Sequence, residues 1–328
     1  MRNAPVGRGA ERTKPRGFAP NPTRALPWTK PGSAAPWTPF PTPQITWDRH
    51  KTSRAGTPNA HDLPLPGFFT MSNPALILTP AQRQRYARQM ILPEVGEAGQ
   101  QCLTTASALM IGAGGLGGPA ALFLAAAGVG HITLIDGDRV ELSNLGRQIV
   151  HSHARLGMAK VDSAALTLTA LNPEIRVETI DGWLDEENAE ALIARHAVVV
   201  DGSDNFATRY LVNAVCHRLG RPLVTGAVLG FEGQVTLLQS GLDPTSPCYR
   251  CLYPDPPVTE AQPTCATAGV LGAVVGVVGS LQATLALKVL LGVGAARAGE
   301  TLLINLLDGI YHPVRGVRLP GCPVCGGG

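Results

Sequence analysis

A chain of 328 residues, 45% of them hydrophobic, has enough apolar mass for one large α/β domain or two small ones. The formal net charge of +3 is unevenly spread: residues 1–70 carry ten basic and three acidic groups, and the rest carry seventeen basic and twenty-one acidic. The basic excess therefore sits in the first 70 residues, and the remainder, at −4, offers no electrostatic ground for nucleic-acid binding.

Residues 1–70 hold nearly half of the prolines and no apolar periodicity, which predicts a disordered tail, or a start of translation at Met71. Three of the four tryptophans, Trp28, Trp37 and Trp47, fall in this tail and are its only hint of a binding role. The N-terminus lacks an apolar leader, and with seven cysteines, an odd number, the expected setting is reducing and cytoplasmic.

From Thr79 the pattern changes. Thr79-Pro80 reads as a helix N-cap followed by proline at the first helical position, and this helix carries Arg83, Arg85, Tyr86 and Arg88. Then come a strand at Ala106–Ile111, a glycine cluster, a helix at Pro119–Ala127 and a strand at His131–Asp136. The alternation continues with a helix at Val161–Leu171, a strand at Ile175–Ile180, a helix at Glu186–Arg195 and a strand at Ala197–Asp201. It closes with a helix at Phe206–Leu219 and a strand at Pro222–Thr225. Such alternation predicts a Rossmann-like α/β fold, a doubly wound and mostly parallel sheet. The chain from Gly233 reads as further strands and loops carrying cysteines. Ala266–Leu287 has no charged residue and is long enough to span a membrane, but its interleaved glycines with Ser280, Gln282 and Thr284 favour a buried loop and helix near a ligand or a subunit interface.

Gly112-Ala113-Gly114-Gly115-Leu116-Gly117 fits G-x-G-x-x-G between a strand and a helix. Glycines let backbone approach phosphate, and the helix N-terminus offers free N–H groups and a positive dipole end. Asp136 ends the next strand, where an acidic group would hold a ribose hydroxyl. Alone, this pattern suits a nicotinamide-dependent oxidoreductase, which stays as the alternative. The following segment departs from it. Asp136-Gly137-Asp138 leads into Ser143-Asn144-Leu145-Gly146-Arg147-Gln148 and then Lys160. Arg147 can grip phosphate bidentately and Lys160 can act as a point charge, as a triphosphate requires. Asp201-Gly202-Ser203-Asp204-Asn205 follows a parallel strand. Asp204 there could hold Mg²⁺ against phosphates or cap the next helix.

Cys248-x-x-Cys251 and Cys322-x-x-Cys325 form two pairs. Four thiolates so paired suit a tetrahedral structural Zn²⁺ with no open position, and a redox dithiol does not explain why there are two pairs. Cys265 lies in the turn-rich Gln262–Thr267 and reads either as a nucleophile or as an ordinary loop cysteine. Cys102 and Cys216 fall in helical patterns and read as core.

Together Arg85–Gln89, the Gly112–Gly117 loop, Ser143–Gln148, Asp201–Arg209, Phe231–Gln234, the two cysteine pairs and Gly276–Lys288 resemble the HesA/MoeB/ThiF family of ubiquitin-activating-enzyme-like proteins, from Thr79 to Gly328. Gly146 stands where the family usually has Gln, and the first 70 residues have no family counterpart. The resemblance implies an adenylation domain over residues 71–328 that uses ATP to adenylylate the C-terminal Gly-Gly carboxylate of a small ubiquitin-like sulfur-carrier protein, for molybdopterin or thiamine biosynthesis. By position it implies that Asp136 binds ribose and that the glycine loop, Asn144, Arg147 and Lys160 surround the triphosphate, with Asp138 beside them. It implies that Asp204 binds Mg²⁺ and that Arg88 reaches into a neighbouring subunit's active site, hence a homodimer. Cys265 matches a family cysteine that can link covalently to the carrier. With no rhodanese-like domain after Cys325, sulfur is expected from a separate donor protein. Neither nucleic acid nor a membrane is an expected partner.

Overall fold

The computed structural model describes residues 77–255, 268–294 and 297–327, all within one structural unit. The expected disordered tail and Cys265 lie outside the described residues.

The first helix, α1 (Pro80–Met90), starts where the sequence places it. The Thr79 side chain accepts from the Gln82 N–H, and the Gln82 side chain accepts from the Thr79 N–H, a reciprocal cap that satisfies two free donors at the helix start. Helix α2 (Gly96–Thr105) follows. The sheet then opens with β1 (Ser107–Ile111), α3 (Gly117–Ala127), β2 (His131–Ile135), α4 (Lys160–Leu171) and β3 (Arg176–Ile180). It continues through α5 (Ala189–Ala194), β4 (Val198–Asp201), α6 (Phe206–Leu219), β5 (Leu223–Leu229) and β6 (Glu232–Leu238). A single turn, α7 (Tyr249–Leu252), a long helix, α8 (Gly272–Leu291), and the strands β7 (Glu300–Asn305) and β8 (Ile310–Arg315) complete it.

The eight strands form one sheet in the order β3-β2-β1-β4-β5-β6-β7-β8. The five strands from β3 to β5 are parallel, and β6, β7 and β8 add on antiparallel. The order reverses between β1 and β4, so the loops after these two strands diverge and leave a crevice at their carboxyl ends. Both faces of the parallel part are covered, which explains why β1 and β4 read as continuous apolar runs. One core contains Met110, Leu124, Leu134 and Val200, and the other contains Leu109, Ile193, Val199 and Val212.

Several elements differ from the sequence expectation in extent. Helix α5 is shorter than Glu186–Arg195, because Asp185 Oδ1 accepts the N–H groups of Glu187 and Asn188 and holds those residues in a turn. Strand β5 runs on to Leu229 because a full antiparallel partner, β6, pairs with it from Leu223 to Leu229. Cys216 is buried as expected, but Cys102 is exposed on α2, its thiol donating to the Leu290 carbonyl. Helix α8 is the one helix among the described residues long and apolar enough to cross a membrane by length and composition. It packs on α3, β4, β5 and β6, and buries Val274, Val278, Gln282 and Ala286 there. The Gln282 Nε2 donates to the Asp201 carbonyl at 2.7 Å, a polar contact a buried helix needs and a lipid-facing one would not offer.

Candidate functional site

The loop between β1 and α3 is built by two glycines in contact. Gly112 adopts a φ of +86°, a left-handed conformation that residues with a Cβ rarely tolerate. At Gly117 an added Cβ would lie 1.8 Å from the Gly112 carbonyl oxygen. The loop can close into the first turn of α3 only if this position carries hydrogen. Helix α3 therefore begins at Gly117, two residues before the expected Pro119; in its first turn the Gly118 and Ala120 N–H groups donate to the Gly114 and Leu116 carbonyls.

Asp136 sits just past β2 and is buried. Its Oδ2 accepts the Ala113 N–H at 2.8 Å and its Oδ1 accepts the Asp138 N–H at 2.9 Å. The carboxylate thus ties the glycine loop to the turn after β2, and each oxygen keeps a further lone pair. Beneath the loop, His151 Nε2 lies 3.0 Å from the Ala113 carbonyl and must donate to it, which leaves Nδ1 to accept from Ser163 Oγ at 2.9 Å. Burial lowers the His151 pKa and keeps the ring neutral in this role.

The cationic groups come from the segment after β2. Lys160, the first residue of α4, is buried, and its Nζ lies 2.6 Å from Asp138 Oδ2. Asn144 is buried on a 3₁₀ turn, and its Oδ1 accepts the Glu141 N–H. Arg147 donates from Nη1 to the Ser143 carbonyl at 3.2 Å, and its aliphatic stem passes over Gly115. An added Cβ at Gly146 meets nothing within 4 Å, so the departure from the expected Gln is a surface change.

On the other side of the crevice, Asp201 ends β4. Its Oδ1 accepts the Ser203 N–H and its Oδ2 accepts the Thr225 hydroxyl. Asp204 is exposed, and the cap of α6 is Asn205, whose side chain accepts the Thr208 N–H at 2.9 Å. The capping role open to Asp204 on sequence grounds belongs to its neighbour. Arg209 is buried beneath this loop and donates to the Ser203 carbonyl at 2.7 Å. Burial works against its charge, but Tyr249 and Asp201 outweigh that and raise its pKa.

The structure sets Asp136 and Arg147 against the glycine loop, pairs Lys160 with Asp138 and lays the Ser203 backbone, next to Asp204, beside Gly112, while Asn144 sits in the turn before Arg147 and Arg88 is exposed on α1. It also adds residues that sequence reasoning passed over. Gln148 Oε1 and Ser203 Oγ are buried without a protein partner, and both flank the glycine loop. Gln148 lay inside a motif already noted, whereas His151, Arg209 and Ser203 carry no local signal of their own.

The four paired cysteines converge although about 70 residues separate the pairs. Cys248, Cys251, Cys322 and Cys325 are all buried, with their sulfur atoms within 4.8 Å of one another. Neighbouring sulfurs lie 3.3, 3.6 and 3.9 Å apart. Tetrahedral thiolates bonded at about 2.3 Å are separated by about 3.8 Å, so the set could hold a metal ion. The Cys248 thiol and the Leu319 N–H, at 3.4 Å, favour the Cys251 thiolate and hold its pKa below the ordinary thiol value. Helix α7, which carries Cys251 and has Cys248 at its N-cap, is fixed to α6 by the Asn213 side chain, which accepts the Tyr249 N–H at 2.7 Å.

Comparison with known proteins identifies the family. The ThiF family model matches residues 86–324. The chain is 48% identical over 253 residues to the sulfur carrier protein adenylyltransferase of Thermus thermophilus, covering 76% of this chain and 92% of that protein. It is 47% identical over 253 residues to the SAMP-activating enzyme E1 of Haloferax volcanii, covering 77% and 92%. It matches adenylyltransferase and sulfurtransferase MOCS3 of Sus scrofa at 46% identity over 254 residues, covering 77% of this chain but 55% of that longer protein. Among solved structures, Escherichia coli MccB with ATP superposes with a TM-score of 0.64 at 23% identity, covering 74% of this chain and 75% of that one, which establishes the shared fold. The chain belongs to the ThiF family.

Proposed function

We propose that this protein uses ATP to adenylylate the C-terminal glycine carboxylate of a small ubiquitin-like sulfur-carrier protein. One observation carries the reading: at the switch point of the sheet, Arg147 crosses the glycine loop and Lys160 lies buried beside Asp138, cationic groups that a triphosphate needs and a nicotinamide pyrophosphate does not. The names of the relatives from Thermus and Haloferax, which this chain spans almost fully, support the same activity.

A C-terminal carboxylate has a pKa of about 3.5 and is ionised at neutral pH, so no general base is needed. It attacks the α-phosphorus, the bond to the bridging oxygen breaks, and pyrophosphate leaves with that electron pair. The products are a carrier acyl-adenylate and pyrophosphate. The chain's task is to hold two anions together and stabilise the charge on the leaving group. Backbone N–H groups at Gly114, Gly115 and Gly117, with Arg147 and Lys160, supply donors and positive charge, and Asn144 joins them. Asp136 holds the ribose with its remaining lone pairs. Gln148 Oε1 and Ser203 Oγ offer the unpaired polar atoms that a bound nucleotide would satisfy. Asp204 would hold Mg²⁺, which neutralises phosphate charge when bound. Cys248, Cys251, Cys322 and Cys325 would hold a structural Zn²⁺ that fastens the C-terminal segment to α7.

The acyl-adenylate is a mixed anhydride open to a sulfur nucleophile, delivered by a separate donor protein. Sulfur delivered at the sulfide level attacks the acyl carbon, the carbon–oxygen bond to AMP breaks and AMP leaves with that electron pair; the carrier ends as a thiocarboxylate for molybdopterin or thiamine synthesis in the cytoplasm, and Cys265 would take part in that later step. We assign the chemistry to residues 71–328. A homodimer suits the structure: Phe123, Ile149, Gly276, Val277 and Leu281 line an open apolar groove of about 550 Å³ beside the crevice, a face a second copy would cover while presenting Arg88. The test is carrier-dependent ATP–pyrophosphate exchange with each candidate carrier. Tight NAD(P) binding with no exchange would return the reading to an oxidoreductase.

A further inference from the structure

Trp183 stands apart from the other three tryptophans, which lie in residues 1–70. It follows β3 in the loop Asp181-Gly182-Trp183, is 62% exposed, and has no place in the chemistry above. Its position is nevertheless built. An added Cβ on Gly137 would lie 2.6 Å from Trp183 Cε2, 2.7 Å from Nε1 and 3.0 Å from Cδ2. Three atoms around the ring junction at such similar range mean that the indole lays its face on the Gly137 backbone. Gly137 sits between Asp136 and Asp138. The loop bearing the ring is tied down as well: the Asn188 Nδ2 donates to the Trp183 carbonyl at 2.9 Å, and Asn188 is itself fixed by Asp185. The Asp136 N–H donates to the Ile180 carbonyl and the Gly182 N–H to the Asp136 carbonyl, which joins the loops after β2 and β3. A large aromatic is thus held with one face on backbone and much of its surface open, one residue from the carboxylate assigned to ribose.

We propose that the indole of Trp183 is the platform on which the nucleobase of the bound nucleotide stacks. The inference rests on the reading of Asp136 as the ribose site. A base joined to a ribose held there must lie against the neighbouring loops, and the exposed apolar surface next to Gly137 is this ring. Every base has a π-face, so such a platform adds affinity while tolerating different bases. A smaller side chain at 183 would remove the wall, and a side chain at 137 would displace it.

The test is binding of ATP and of inorganic tripolyphosphate to the full-length protein and its Trp183→Ala and Trp183→Phe variants. Trp183→Ala is expected to weaken ATP binding by about tenfold or more, the order of one lost base–aromatic stack, and to leave tripolyphosphate binding unchanged. Trp183→Phe keeps a stacking face and should stay within about threefold of the parent. Equal weakening for ATP and tripolyphosphate would show that the indole merely props the Asp136–Asp138 turn, and unchanged ATP binding in Trp183→Ala would also overturn the proposal. These results differ from failure of the nucleotide reading itself, in which the parent protein would bind neither ATP nor tripolyphosphate.

Discussion

The Lys160 ammonium lies 2.6 Å from Asp138 Oδ2, and the Lys160 N–H also donates to the Asp138 carbonyl. The lysine is buried while the aspartate is half exposed, so the pair is a buried cation held by an anion open to solvent. Asp138→Asn keeps the shape and removes the charge that offsets a buried ammonium. The expected cost is about 1–2 kcal/mol of stability, with water reaching the exposed side. It should also raise the ATP KM. Urea unfolding and exchange kinetics measured together check both effects, and unaltered stability would mean that the pair is held only weakly.

Gly117→Ala should be the most damaging single-methyl change in the nucleotide loop. Its Cβ would lie 1.8 Å from the Gly112 carbonyl, and backbone has to move to relieve this. The expected loss is about 3 kcal/mol, with ATP binding abolished because the start of α3 is displaced. Gly146→Gln, where nothing lies within 4 Å, is the control and should leave both properties near those of the parent. Thermal unfolding with and without ATP reports the difference.

Asp204→Ala should lower carrier-dependent pyrophosphate exchange at least about a hundredfold, since the leaving pyrophosphate loses its metal counter-charge. Arg147→Ala should behave almost alike. Cys265→Ala should exchange nearly normally, because attack of a carboxylate on phosphorus uses no thiol. Loss of exchange in a folded Cys265→Ala protein would place that cysteine in the first half-reaction. Normal exchange in Asp204→Ala would move the metal elsewhere.

The cysteine cluster should carry one zinc per chain. Metal at such sites is worth roughly 10 kcal/mol or more, so Cys322→Ser should lose the ion and loosen the segment after β8 together with α7. Metal analysis of freshly purified protein and protection of backbone amides around Tyr249 and Leu319 are the measurements. Zinc-free protein with both regions fully protected would sink the structural role.

Stability should fall as pH drops through the ordinary histidine range. Burial lowers the pKa of His151 and His196 in the folded state, so the unfolded chain binds protons first, near its pKa of about 6.5. Their contribution is full above that pH and is lost below it, down to the depressed folded values. His151→Gln should flatten this acid arm, an effect visible as a smaller shift in urea midpoint between pH 7.5 and pH 5. An unchanged shift would mean that His151 remains protonated as readily when folded as when unfolded.

Much of this protein was legible along the chain. The alternation of strands and helices, the glycine loop, the Thr79 cap and the spacing of the cysteine pairs are local patterns, set by backbone geometry and side-chain period over a few residues. They suffice for the parallel half of the sheet and for naming most of the crevice residues. The ends of α5 and β5 depart from the local pattern because an Asp185 turn shortens one and the β6 partner lengthens the other.

What only the tertiary structure decided are contacts between residues far apart in sequence. Whether Asp204 or Asn205 caps α6 depends on which oxygen reaches the Thr208 N–H, and a propensity cannot separate adjacent residues of the same capping class. Cys102 and Cys216 share a helical pattern, yet one faces outward and the other inward, because only packing fixes how each helix is turned. The joining of the two cysteine pairs, the seat of His151 under Ala113, and the indole of Trp183 on Gly137 all depend on chain reversals that bring together loops from different strands. The sequence by itself determined which groups the chain possesses and in what local conformation; closure of the sheet determined which of them share a crevice, because distance across a fold is set by topology and packing rather than by separation along the backbone.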